Sequence, residues 1–227
     1  MITLEGVSKK YKNGTKALNN INLTINDGEF VYIIGETGSG KSTLIKLLDG
    51  EEIPSEGKVM VNGINVGRLR FSKVPLYRRK IGVVFQDYQL LKTKTVFDNI
   101  AFALEVINKS KKEINERVRE VLNIIDLSTE FNNYPTQLSG GQQQRVVIGR
   151  AIANKPKLLI ADEPTGNLDP RHSKEIIELL EKINESGTTI IVVTHDDLLV
   201  DTYRKRTIAL DNGHVVADNP EGGYYHV

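Results

Sequence analysis

The sequence predicts a single-domain α/β fold: a mixed, mainly parallel sheet with a helical stretch inserted between two of its strands. Three observations predict it. Four short, β-branched apolar runs, at residues 30–34, 81–85, 158–161 and 189–193, read as strands covered on both faces. Each runs directly into polar residues: the loop holding Lys41, then Gln86, then Asp162 and Glu163, then His195. The long interval between the second and third runs has helical periodicity instead.

Composition narrows the function classes before any motif is read. The 227 residues are 39% hydrophobic and 26% charged, ordinary for a globular chain long enough to bury its own core. A net charge of +1 gives no overall pull toward nucleic acid, and none is expected as a partner. The absence of cysteine removes disulfides, thiolate zinc sites and cysteine nucleophiles together. The first ten residues lack the apolar stretch of a secretory signal, and no apolar run reaches the ~18 residues of a membrane span. The expectation is a soluble cytoplasmic chain without direct membrane insertion.

In chain order, residues 21–25 and 58–63 alternate as half-buried strands do, with turns at Lys12-Asn-Gly14, Asn26-Asp-Gly28 and Pro54-Ser-Glu-Gly57. A helix is expected from Ser42 to Leu48. Thr95, with Asp98 three residues on, predicts a capped helix reaching Leu104. Ile114, Val118, Val121, Leu122 and Ile125 form one helical stripe. Further helices are expected over 141–153 and 173–183, the latter turning Ile176, Leu179, Leu180 and Ile183 inward. No repeat or linker divides the chain, so residues 87–153 read as an insertion in one domain. The tail from Asp218 has no assignable role and is expected to be mobile.

Gly35-Glu36-Thr37-Gly38-Ser39-Gly40-Lys41-Ser42 fits G-x-x-x-x-G-K-[ST] between a strand and a helix that continues through Thr43. Glycines let the backbone turn its N–H groups around phosphate oxygens, and the helix N-terminus favours an anion. Lys41 would supply a point charge to the β- and γ-phosphates of ATP, and the Ser42 hydroxyl would ligate Mg²⁺. At the end of an apolar strand, Asp162 would hold the metal and Glu163 would polarise the attacking water.

Leu138-Ser139-Gly140-Gly141-Gln142, followed by Gln-Gln-Arg145, resembles the signature of the ATP-binding-cassette (ABC) ATPases. The resemblance extends from Leu4 to about Val216. It implies a phosphate-loop ABC ATPase fold with a RecA-like core and an antiparallel β subdomain from residues 1–86 and 154–227, and a helical subdomain from 87–153. It also implies roles. Tyr11 would stack on adenine, with Ala17 near the same face. Gln86 would sense the metal and the water, Asn167-Leu168-Asp169 would meet its twin across a dimer, and His195 would contact the γ-phosphate. Residues 139–142 of one copy would close the ATP site of the other, so ATP would join a homodimer. His172, His214 and His226 lack such context and read as surface residues.

Val74-Pro-Leu-Tyr-Arg-Arg79 and Phe85-Gln86-Asp87, with Asn154-Lys-Pro and the stretch following it, look like the bacterial cell-division branch of this family. That branch implies an integral membrane partner of the FtsX type, docked near Gln86 against Tyr88, Leu90, Leu91, Val96, Phe97 and Phe102, about half of which would be core. The ATPase would sit on the inner face of the cell membrane through this partner and control cell-wall hydrolysis. Two alternatives stay open. One is the ATPase of a lipoprotein-release or macrolide-export transporter, and the other is a nucleotide-dependent switch with negligible turnover.

Overall fold

The structure is a computed structural model and describes residues 1–224, so His226 lies outside the described residues. β1 (Ile2–Lys10) and β2 (Lys16–Ile25) pair antiparallel. Ile21, Leu23 and Ile25 are buried while Asn22 and Thr24 face out, as the alternation requires. β3 (Phe30–Ile34) is buried throughout and leads through the glycine loop into α1 (Lys41–Leu48). β4 (Glu56–Val61) pairs with β1, and β5 (Ile64–Asn65) folds back on it. The strand expected over 58–63 stops at Val61. Asn62 and Gly63 both take positive φ, 49° and 77°, the geometry of a tight hairpin turn.

Two short 3₁₀ turns and α2 (Val74–Arg78) lead into β6 (Ile81–Val84). Phe85, expected inside that strand, falls beyond its end and is exposed. Three helices follow: α3 (Val96–Glu105), α4 (Lys111–Ile124) and α5 (Gly140–Ile152). Each starts on a reciprocal capping box, Thr95 with Asp98, Ser110 with Glu113 and Ser139 with Gln142.

β7 (Leu158–Asp162), α6 (Pro170–Glu185), β8 (Thr189–Val193), α7 (Asp197–Tyr203), β9 (Arg206–Asp211) and β10 (His214–Asn219) complete the chain. α6 starts three residues earlier than the expected Ser173, because the Asp169 carboxylate caps it and Pro170 suits a first turn.

The strands form two sheets, a four-stranded antiparallel one ordered β2-β1-β4-β5 and a six-stranded one ordered β10-β9-β3-β8-β7-β6. In the latter, β9, β3, β8, β7 and β6 are parallel and β10 is an antiparallel edge. The six-stranded sheet separates two cores. Phe30, Tyr32, Ile34, Leu159, Ala161, Ile190 and Val192 face the core shared with α3–α6. Val31, Ile33, Leu158, Ile160, Ile191 and Val193 face the core shared with α1 and the antiparallel sheet.

The tail is held along its described length. Asp218 and Asn219 belong to β10, and the Tyr224 amide donates to Asp201 Oδ1 at 2.7 Å. These contacts replace the mobility expected of it up to Tyr224.

Candidate active site

Parallel strands point their carboxyl ends at one edge of the sheet, and the loops after β3, β7 and β8 meet there. After β3, Gly35 has φ +144°, and a Cβ on it would lie 2.1 Å from the Leu210 carbonyl oxygen and 2.7 Å from Ser39 Oγ. Gly40 has φ +110°, and a Cβ there would lie 2.6 Å from the Ala17 oxygen. Only glycine fits at either position. No side chain caps the N-terminus of α1, so the amides of its first turn stay open to a ligand.

Ser39 Oγ is buried with no hydrogen-bond partner among the described residues. Lys41 reaches back over the loop and donates to the carbonyl oxygens of Gly35 at 2.6 Å and Glu36 at 2.8 Å. Open amides, an orphaned hydroxyl and an ammonium group around a cradle that excludes Cβ atoms fit a polyphosphate.

The tip of the β9–β10 hairpin braces this loop. The Gly213 amide donates to the Ser39 oxygen at 3.0 Å, and its carbonyl accepts from the Asn19 amide at 2.8 Å. Sequence reasoning passed over this hairpin although Asn212-Gly213 is a strong turn signal; their φ values are 45° and 78°. His214 is exposed and its Nε2 lies 3.1 Å from the side-chain Nδ2 of Asn19, in keeping with a surface residue.

After β7, Glu163 takes a left-handed backbone with φ 47°, and its amide donates to the Val193 oxygen at 2.9 Å. Left-handed geometry costs a non-glycine residue about 1–2 kcal/mol, offset here by the surrounding packing. The turn carries the Glu163 carboxylate to His195, with Oε1 and Nδ1 2.7 Å apart. Glu163 is largely enclosed, its side chain 13% exposed against 73% for His195.

Three charges sense one another here. Burial lowers the Lys41 ammonium pKa, opposed by the carboxylates of Glu163 and Asp162. Burial and then Glu163 raise the Asp162 pKa, opposed by Lys41. A cleft of about 610 Å³ opens beside Glu163 and His195, walled by Leu168, Ser173, Leu198 and Tyr203.

The remaining sequence-predicted residues flank this centre. Tyr11 lies just past the end of β1, its hydroxyl 3.3 Å from Thr43 Oγ1 and its ring 5.1 Å from Lys9 Nζ. Ser42 is exposed on the first turn of α1, and Glu36, Thr37 and Gly38 are exposed along the loop. Gln86 is exposed two residues beyond β6.

Residues 139–142 are not joined to the phosphate loop by any hydrogen bond among the described residues. Ser139 Oγ accepts from the Gln142 amide at 3.3 Å, and Gln142 Oε1 accepts from the Ser139 amide at 2.9 Å. A Cβ on Gly140 would meet the Tyr88 hydroxyl at 3.3 Å. One on Gly141 would meet the His172 ring at 2.7 Å.

His172 keeps the exposure of a surface residue, its side chain 38% exposed, but also packs against the signature. Its Nδ1 lies 2.6 Å from Asp169 Oδ2, and its amide donates to Asp169 Oδ1 at 3.0 Å. These bonds hold the Asp169 carboxyl below its usual pKa. The ring joins the loop ending at Asp169 to the start of α5, a contact that local sequence pattern does not reveal. Tyr224 was also passed over. Burial first, then the carboxylates of Asp197, Glu36 and Glu163, raise its phenol pKa, which puts the tail within electrostatic reach of the same edge.

A glycine cradle between a strand and a helix, faced by an Asp-Glu strand end, defines a phosphate-loop nucleotide-binding protein. The chain belongs to the ABC transporter family, whose profile matches residues 18–166. The cell division ATP-binding protein FtsE of Mycobacterium tuberculosis is 52% identical over 225 residues, covering 99% of this chain and 98% of that one. The protein of the same name from Bacillus subtilis is 50% identical over 224 residues, covering 99% and 98%. Among solved structures, the dimeric ATP-binding cassette MJ0796, in a post-hydrolysis state bound to ADP and Pi, is 39% identical with a TM-score of 0.86, covering 99% of this chain and 100% of that one.

Proposed function

We propose that this protein is the ATP-hydrolysing subunit of an FtsE-like membrane complex in cell division, working with an FtsX-type membrane protein in the control of cell-wall hydrolysis. The observation that carries the chemistry is the meeting of Lys41, Asp162, Glu163 and His195 at the edge that also holds the glycine cradle. The amides of residues 35–43 and the Lys41 ammonium bind the triphosphate, while Tyr11 and Ala17 flank the base. Glu163 accepts the proton of the attacking water, and His195 holds that carboxylate in line and meets the terminal phosphate. Ser42, Gln86 and Asp162 would hold Mg²⁺, which supplies charge neutralisation at the phosphates when bound.

Two copies complete the machine. Ser139, Gly140, Gly141 and Gln142 of the second copy close each pocket, and Asp169 meets its twin across the contact. Each copy presents its capped α5 start on the side of the loop after β6, so the membrane partner that touches this loop senses closure. Val96 is fully buried and belongs to the core, with Tyr88, Leu90 and Phe97 packed against it, while Phe102 is 46% exposed. A cleft of about 590 Å³ between Phe97, Arg119 and Phe131 extends the surface open to that partner. The protein is held at the inner face of the cell membrane through this contact.

The test is a pull-down from membranes with Glu163→Gln protein held in ATP. Recovery of an FtsX-type protein is the expected result. Recovery of an export permease instead would move the chain to the lipoprotein or macrolide branch.

A further inference from the structure

We propose that residues 68–80 form a platform that rests on the anionic headgroups of a phospholipid bilayer. The segment, Arg68-Leu-Arg-Phe-Ser-Lys-Val-Pro-Leu-Tyr-Arg-Arg-Lys80, carries six of the chain's 30 Lys and Arg and no acid. No acid occurs anywhere between Glu56 and Asp87. The whole chain is net +1, so everything outside the segment is net −5. The net positive excess of this protein therefore lies on one short stretch.

The stretch is built as a surface and not as a loose loop. Tyr77 is buried and donates to the Leu48 carbonyl oxygen at the end of α1. Arg78 donates to the Asp49 carbonyl at 3.1 Å and pairs with its carboxylate at 3.8 Å. Short turns close through the Leu69 amide to the Val66 oxygen and the Lys73 amide to the Arg70 oxygen. With the backbone pinned at these points, Arg68, Arg70, Lys73, Arg79 and Lys80 all stand exposed. None of these five makes an ion pair or side-chain hydrogen bond among the described residues, although the other described residues form eighteen ion pairs.

Between them stands an apolar wedge. Phe71 is 94% exposed, the most exposed large hydrophobic side chain among the described residues, and Leu76 is 44% exposed on the following turn. Unpaired cations around a protruding aromatic match the chemistry of an anionic interface. The charges meet headgroups, and the ring enters the boundary below them. A bilayer is favoured over another polyanion because the function proposed above puts the protein beside one, and this inference rests on that reading.

The test is co-sedimentation of the full chain, without any partner, on vesicles of phosphatidylcholine alone or with about one-third phosphatidylglycerol, at low and high salt. Binding to the anionic vesicles that falls with salt is expected. Arg70→Glu combined with Lys73→Glu should weaken it by more than about 10-fold, and Phe71→Ser by roughly 5-fold. ATP turnover and melting temperature of the variants should stay at wild-type values, which separates a lost surface from a lost fold.

Equal binding to uncharged vesicles, unchanged binding by the variants, or no vesicle binding would overturn the proposal. So would capture of single-stranded nucleic acid by the same residues in its place. The vesicles contain no protein, so failure here leaves the ATPase and its membrane partner untouched, and failure of the pull-down leaves this measurement readable.

Discussion

Arg150, in the body of α5, donates to the main-chain oxygens of Gln89 at 2.8 Å and Tyr88 at 3.3 Å. Burial lowers its guanidinium pKa, yet it remains charged, so the loop after Gln86 is tied to the helix that begins at the signature. Arg150→Ala should cost about 1.5–3 kcal/mol, which for a chain of this size is a melting temperature lower by roughly 4–10 °C. ATP turnover should fall more than nucleotide affinity. Unchanged melting would mean that the two loop carbonyls are solvated without it.

Gly141 and His172 leave each other no spare room. Gly141→Ala should destabilise by about 1–3 kcal/mol through overpacking. Adding His172→Ala opens the space, so the double variant should be more stable than the sum of the singles by about 1 kcal/mol. Urea unfolding of the four proteins measures the difference, and strict additivity would deny the contact.

Lys41→Ala removes the ammonium group seated over the glycine loop. Loss of its charge-assisted bonds should weaken ATP binding by about 100-fold, equivalent to about 2.7 kcal/mol. Titration with a fluorescent ATP analogue reads this, and wild-type affinity would remove the loop as the nucleotide site.

Glu163→Gln keeps the shape of the side chain and loses the carboxylate proposed above as the base. Turnover should fall by about 10²–10⁴-fold with ATP binding retained, and the protein should elute as a dimer when ATP is present. Full phosphate release by this variant would take the proton-acceptor role away from Glu163.

Asp49 is 4% exposed, and burial raises its pKa despite the Glu51 amide at 2.8 Å and the nearby Arg78. The folded protein then holds this proton more tightly than the unfolded chain does. Its contribution to stability falls as pH climbs from the ordinary carboxylate pKa through the raised one, and is level above it. Asp49→Asn should flatten that slope. Its urea midpoint should exceed the wild-type value by more at pH 7 than at pH 3, and equal differences would refute the burial account.

What was legible in the sequence was contiguous. The glycine loop, Asp162-Glu163 and the β-branched runs each lie within a few neighbouring residues, and their period and composition follow from burial on both faces. The capping residues Thr95 and Asp98 were readable for the same reason. His172 and Arg150 were not, because each acts on residues far away in the chain, and a helix surface gives no sign of what will pack on it. Tyr224 belongs with them, since its surroundings come from α7 and the sheet edge that holds Glu36 and Glu163. The Asn212-Gly213 hairpin differs: its turn signal lies in two adjacent residues, but β10 beside it has no buried residue to mark a strand.

Neighbouring side chains along β3, β7 and β8 belong to opposite cores, so that within each strand the apolar residues alternate between the two. Sliding any of these strands by a single position would exchange the contents of both interiors at once, a penalty far beyond anything a loop could recover. The relative heights at which Lys41, Glu163 and His195 emerge are therefore fixed by oil-like contacts deep below them. Misalignment of the reactive groups and failure to fold become the same event, so every molecule that survives folding carries them in step.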